Sequence, residues 1–238
     1  MRLTLNGIVA SDDDVEVYSW FGYSAFSPKA LREALANLQE GEALTVEINS
    51  PGGSVDAGSE IYSLLRGSSA HTVAEIQSLA ASAASYMAMG ADEVVISPAA
   101  QMMIHLPSCY TEGDRSAHLK SIGMLDATRE AILNTYELHA KGKSSRDELR
   151  RMMNAETWLS AQDAVDKGLA DRLLGEEEEG ASHSNLAAAY GLPDLSALRA
   201  KYARLKETAP ATGKKPDGAE DGTGWTLKAR LDLEKNRF

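Results

Sequence analysis

Cysteine is almost missing: Cys109 is the single one among 238 residues. That excludes an internal disulfide and a zinc site built on paired cysteines. A reducing setting, the cytoplasm, is the expected one. Positive charge is also scarce. Lys and Arg total 24 against 35 Asp and Glu, a formal net charge of −11. Such a balance argues against binding nucleic acid by neutralising phosphates. No continuous apolar stretch reaches the ~18 residues of a membrane span. The uncharged run Ile76–Ala91 is rich in Ser and Ala. The opening Met1-Arg2-Leu3-Thr4 lacks the apolar stretch of a signal peptide. What is present is an ordinary globular composition, 43% hydrophobic and 25% charged, enough for one good-sized domain or one plus an appendage.

The charge is unevenly distributed. From Glu176 onward there are 11 acidic and 10 basic residues, which leaves 24 acidic and 14 basic in residues 1–175. Glu176-Glu177-Glu178-Glu179 is a run of like charges that favours a solvated linker, and the domain boundary is set there. Beyond it, Leu195, Leu198, Tyr202 and Leu205 recur at helical spacing with basic residues between. Residues 208–224 are rich in Pro, Gly, Ala and charge, the composition of a disordered segment.

Before the boundary, strand and helix signals alternate. Leu3, Leu5 and Ile8-Val9 read as a strand. Ser27-Pro28 reads as an N-cap followed by Pro at the first helical position. Leu31, Ala34, Leu35 and Leu38 continue that helix towards Gly41. Leu44–Ile48, His71–Gln77, Glu93–Ser97 and Met102–His105 read as strands. Val55 to Leu65, Ala83–Met89 and Asp114–Lys141 read as helices. Ser145 with Glu148, and Ser160 with Asp163, have capping-box spacing. This order predicts an α/β domain with a largely parallel sheet.

Three segments carry chemical possibilities. Glu47–Val55 ends a strand in Pro51-Gly52-Gly53 and starts a helix. Adjacent glycines permit positive φ and close approach of a ligand, and N–H groups at such a turn can hold an oxyanion; a plain strand–helix turn has the same pattern. Ser78–Gly90 runs a strand into a helix of small residues, where a serine sits at the positive end of the helix dipole; a tightly packed Ala/Ser helix has the same pattern. Met102-Met103-Ile104-His105-Leu106-Pro107 ends an apolar strand in a histidine. Cys109 lies four residues on, but its loop has no Gly-Gly turn or helix N-terminus to activate a thiol.

In chain order the segments read Pro-Gly-Gly, Ala-Ala-Ser and Met-Ile-His-x-Pro. Together they resemble the proteolytic subunit of the Clp proteases, serine peptidases with a crotonase-like α/β spiral fold. The resemblance continues through Glu156-Thr157-Trp158-Leu159-Ser160-Ala161. It ends at Ala164-Val165-Asp166-Lys167-Gly168-Leu169-Ala170-Asp171, which is similar to the family's closing helix and strand. It covers about residues 1–175, and residues 176–238 fall outside it.

The resemblance implies Ser85 as nucleophile, His105 as general base and Glu156, where Clp subunits place Asp, as third member. Ser82 is the rival nucleophile three residues earlier. The N–H groups of Gly52 and Tyr86 would form the oxyanion hole. No metal, nucleotide or other cofactor is required by this chemistry. A homo-oligomeric ring, with the long helix at an interface, and polypeptide substrates follow from the same likeness.

The short Ser85–His105 interval, the Ser-Tyr-Met-Ala-Met-Gly-Ala-Asp-Glu stretch and Glu-Thr-Trp are similar to the Clp-like head maturation (prohead) proteases of tailed phages. Those cleave scaffold and capsid proteins in the host cytoplasm, and this departure counts against an ATP-driven unfoldase partner. Three alternatives stand beside that reading. They are a housekeeping Clp subunit fed by an unfoldase, a catalytically inactive assembly protein, and a crotonase-like acyl-CoA enzyme with no need for a Ser/His pair.

Overall fold

A computed structural model describes residues 1–175. The expectations for the acidic linker, the amphipathic helix and the Pro/Gly-rich stretch lie outside the described residues. The chain opens with β1 (Arg2–Val9), α1 (Val15–Trp20), β2 (Ala25–Phe26) and α2 (Pro28–Ala36). It continues through β3 (Leu44–Gly53), α3 (Val55–Arg66), β4 (Thr72–Ala81), α4 (Ala83–Ala88), β5 (Glu93–Ile96) and β6 (Gln101–Ile104). The last described elements are α5 (Arg115–Ala140), α6 (Arg146–Asn154), β7 (Thr157–Ser160), α7 (Ala161–Asp166) and β8 (Arg172–Leu173).

The sheet follows from period-two burial. In β3, Leu44, Val46 and Ile48 are fully buried on one face, alternating with partly exposed neighbours. The strand order is β2-β1-β3-β4-β5-β8, with every adjacent pair parallel. The expected α/β class with a mostly parallel sheet is what the structure has. The helices cover the apolar strand positions, and each fully buried Leu, Ile or Met contributes about 1.5–3 kcal/mol of transfer free energy.

One strand changes partners along its length, and this positions the site. The first half of β4, Val73–Ile76, pairs with β5, whereas Leu79–Ala81 pairs with β6. Between them Gln77 and Ser78 are exposed. The β3–β4 register also shifts there, from Ile48↔Ile76 to Ser50↔Ala80. Such a bulge bends the strand and turns its end towards β6. In turn, β7 closes antiparallel on β6, pairing Met103 with Trp158 and Ile104 with Thr157.

The capping signals are partly realised. Ser160 and Asp163 form the complete reciprocal box. Ser145 accepts from the Glu148 N–H, but the Glu148 carboxylate bonds Lys167 Nζ at 2.6 Å instead of returning to the cap. Other elements differ from expectation. The helix expected to run towards Gly41 ends at Asn37. Helix α1 had no sequence signal; Val17 and Tyr18 bury against Ile8, Ala10 and Phe21. Gly168–Asp171 forms a turn, because the Asp171 carboxylate accepts from the Val94 N–H at 2.8 Å and the strand begins only at Arg172. In α5, Ile132, Leu133 and Tyr136 are buried, while Leu119, Ile122 and Met124 are exposed.

Candidate active site

Ser82 occupies the single residue between β4 and α4. Turning a strand into a helix in one step forces φ 55° and ψ −123°, a conformation that costs a non-glycine residue about 1–3 kcal/mol. The backbone around it holds the turn. The Ser82 N–H donates to the Met103 carbonyl at 2.9 Å, extending the β4–β6 ladder by one bond. The Ser82 carbonyl accepts from the Ser85 N–H at 3.0 Å. A serine on a strained strand-to-helix turn at the carboxyl end of a parallel strand has its hydroxyl presented to the crevice where α/β sheets bind ligands.

His105 follows the last residue of β6 and reaches the same point. Its Nε2 lies 2.7 Å from Ser82 Oγ. With the proton on Nδ1, Nε2 accepts from the serine hydroxyl. Burial lowers the imidazole pKa below the usual 6.5, and the Glu156 charge offsets part of that effect. The ring is therefore neutral at pH 7, the state a general base needs.

Glu156 directly precedes β7, whose Thr157 pairs with Ile104, the residue before His105. Glu156 is exposed, has φ 50°, and its carboxylate makes no hydrogen bond to the imidazole. Its influence on His105 is through space.

The structure does not bring Ser85 to His105. Ser85 is fully buried, and its Oγ donates to the Ser82 carbonyl at 2.6 Å and pairs with the Tyr136 hydroxyl at 2.6 Å. The reason is helical geometry. One turn into α4, a side chain leans back over the preceding turn, so Ser85 addresses the Ser82 backbone rather than the β6 end. The serine that meets His105 is Ser82, the rival, and not Ser85.

Tyr86, expected as an oxyanion donor, does not sit at the helix start. Tyr86 is the fourth residue of α4, beyond the first-turn N–H groups that lack helical partners. Its hydroxyl donates to the Val55 carbonyl at 2.6 Å, and burial pushes its pKa up to about 12. Ala83 is the first residue of the helix, so its N–H has no acceptor within it. Gly52, at φ 95°, packs directly beside that peptide. A Cβ on Gly52 would fall 2.7 Å from Ser82 Cβ and 2.9 Å from Ala83 N. The Gly52 N–H itself donates to the buried Ser50 Oγ at 3.1 Å.

Residues 30–177 match the family model described as Clp protease. The chain belongs to the Clp protease family. One relative is the ATP-dependent Clp protease proteolytic subunit 1 of Chlamydia abortus, 31% identical over 141 residues, covering 56% of this chain and 71% of the relative. The protein of the same name from Chlamydia muridarum is 31% identical over 159 residues, covering 61% of this chain and 80% of its own. That from Protochlamydia amoebophila is 29% identical over 144 residues, covering 58% and 68%.

Within the Clp protease match lie Gly52, Ser82, His105 and Glu156. Other polar groups stand apart from them. Cys109 is exposed, and the His105 Nε2 bond goes to Ser82 rather than to the thiol. His71 lies 3.5 Å from Asp92, and His118 bonds Thr111. His139 is buried 3.4 Å from Asp171, and His183 lies outside the described residues. A cavity of about 620 Å³, lined by Leu35, Leu38, Leu64 and His71 among others, opens at the amino ends of β3 and β4, away from Ser82. No described helix is long and apolar enough to cross a membrane.

The serine beside His105 had a sequence signal. Ala-Ala-Ser occurs twice in succession, as Ala80-Ala81-Ser82 and Ala83-Ala84-Ser85. A helix starting at Ala83 makes Ser82 the residue at the turn and Ser85 an interior one. No comparable signal marks Tyr136.

Proposed function

We propose that this Clp protease family member is a serine endopeptidase in which Ser82 is the nucleophile, His105 the general base and Glu156 the acidic partner of His105. The 2.7 Å contact between Ser82 Oγ and His105 Nε2 carries the reading. As Oγ attacks a peptide carbonyl, its proton passes to Nε2. The imidazolium then returns that proton to the leaving amine, and water repeats the cycle on the acyl-enzyme. The Ala83 N–H donates to the tetrahedral oxyanion, with Gly52 leaving room for the carbonyl to approach. One such donor is worth roughly 2.7–4 kcal/mol. This acyl-transfer chemistry calls for no metal or redox group.

Proton transfer requires neutral His105, so kcat/KM falls on the acid side through the pKa of the free enzyme. Burial lowers that pKa below 6.5, while Glu156 raises it. Glu156→Gln is therefore expected to move the acid limb to lower pH. It also removes a charge that stabilises the imidazolium in the transition state. With no direct hydrogen bond to lose, the expected fall in kcat at pH 8 is about 10–100-fold, below the ~10⁴ of an intimate triad acid. A pH–rate profile on a fluorogenic peptide checks this; an unchanged limb and rate would leave a Ser/His dyad.

Two finer readings concern the substrate. Cleavage of scaffold and capsid proteins is supported by the short serine-to-histidine interval and by Glu156-Thr157-Trp158. The alternative, a subunit fed by an ATP-driven unfoldase, is supported by the names of the chlamydial relatives. Exposed Leu119, Ile122 and Met124 on α5 support self-association in either case. Co-expression with a capsid or scaffold protein, with product mass spectrometry, separates the readings. Cleavage without an unfoldase supports the first; degradation only with the ATPase supports the second.

The proposed peptidase unit is residues 1–175, since every proposed catalytic group falls there and the acidic run Glu176-Glu177-Glu178-Glu179 follows. Removing residues 176–238 is expected to leave a folded chain with kcat on a small peptide within about twofold of full length. Size exclusion and peptide hydrolysis test it. An unfolded or inactive short chain would make residues 176–238 part of the enzyme.

A further inference from the structure

We propose that Ser85 and Tyr136 are positioning residues that aim the Ala83 N–H at the reacting carbonyl oxygen. The proposal rests on Ser82 being the nucleophile. The Ser82 carbonyl and the Ala83 N–H belong to one peptide unit, and a peptide is planar and trans. Whatever fixes the direction of that oxygen fixes the direction of the opposite N–H. The oxygen is held twice, by Ser85 N–H at 3.0 Å and Ser85 Oγ at 2.6 Å.

Ser85 has one hydroxyl proton, and it is committed to the Ser82 carbonyl. Tyr136 must then be the donor in the 2.6 Å contact between the two hydroxyls. The relay runs from Tyr136 O–H to Ser85 Oγ, and from Ser85 O–H to the Ser82 carbonyl. Tyr136 and Ser85 are both essentially inaccessible to water, so water cannot replace either bond. Burial raises the Tyr136 pKa well above the usual phenol value, which keeps it protonated. The Ser82 backbone is strained, and a strained peptide persists only when its surroundings over-determine it. The Met103 carbonyl fixes one side of Ser82 and the relay fixes the other. Tyr136 lies on α5, so the aim of the N–H depends on how that helix is seated against α4.

The test is the double variant Ser85→Ala/Tyr136→Phe in the full chain. Removing both hydroxyls avoids stranding a buried donor. The Ser85 N–H bond remains, so the peptide loses its aim rather than its place. The expected result is a roughly tenfold fall in kcat with KM unchanged, because misdirecting a donor weakens only the transition state. A peptide boronate, which forms a tetrahedral adduct, should bind roughly tenfold more weakly. The acid limb should stay where it is, since the His105–Ser82 pair is untouched. Tyr136→Phe alone, which removes one oxygen, should cost about threefold in kcat and keeps the test open if the double variant does not fold. A folded variant with wild-type kcat and boronate affinity, or one altered only in KM, would overturn the assignment. Full hydrolysis by Ser82→Ala would instead overturn the nucleophile on which it rests.

Discussion

Replacing Ser82 by Ala is expected to lower kcat by on the order of 10⁶, while Ser85→Ala keeps about a tenth of the activity. The two serines are three residues apart, yet their surroundings assign them different work. Ser82 Oγ meets His105 Nε2 at 2.7 Å, at the end of a strand and in reach of solvent. Ser85 Oγ is sealed between α4 and α5 with both of its bonds made inside the protein. Deleting the first oxygen removes the nucleophile and leaves the fold, because its main-chain bonds to Met103 and Ser85 remain. Deleting the second leaves the Ser82–His105 pair intact but strands the Tyr136 hydroxyl, a stability cost of about 1–3 kcal/mol. Steady-state rates on one peptide, with melting curves for both variants, check the contrast. An inactive, folded Ser85→Ala beside an active Ser82→Ala would reverse the roles.

Gly52→Ala is expected to lower kcat by roughly 10²–10³ and to destabilise the chain as well. The added Cβ would meet the Ala81 carbonyl oxygen at 2.6 Å, Ser82 Cβ at 2.7 Å and Ala83 N at 2.9 Å. Two of these are main-chain atoms of the turn, which cannot swing aside as a flexible side chain would. The φ of 95° is strained for any residue with a Cβ. The methyl group fills the space beside the Ala83 N–H where the oxyanion forms, so the loss falls on kcat as well as on stability. Rates at saturating peptide and urea midpoints separate the two effects. Wild-type kcat in a folded Gly52→Ala would exclude Gly52 from the site.

The frame of the molecule was readable because its signals are local. Period-two burial gives β3, Ser27-Pro28 starts α2, and Ser160 with Asp163 caps α7. Short α1 escaped because its stability comes from packing on Ile8 and Ala10 rather than from periodicity. His105 and the neighbourhood of Glu156 were legible as motif residues. Which of the two serines meets His105 was not, because two consecutive Ala-Ala-Ser triplets fit the same pattern and their difference is one of backbone geometry. The first ends at the turn and the second lies within the helix. Tyr136 was hidden for another reason: it lies 51 residues from its partner Ser85, and only the seating of α5 on α4 joins them.

The most direct test is covalent. A fluorophosphonate reacts only with a serine whose hydroxyl is activated by a neighbouring base, and tandem mass spectrometry locates the adduct. Ser82 and Ser85 lie on the same tryptic peptide between Arg66 and Arg115, so fragmentation between them decides. The account predicts one adduct, on Ser82, formed faster as pH rises through the His105 pKa and absent in His105→Ala. An adduct on Ser85, or peptide hydrolysis that survives complete modification of Ser82, would contradict it.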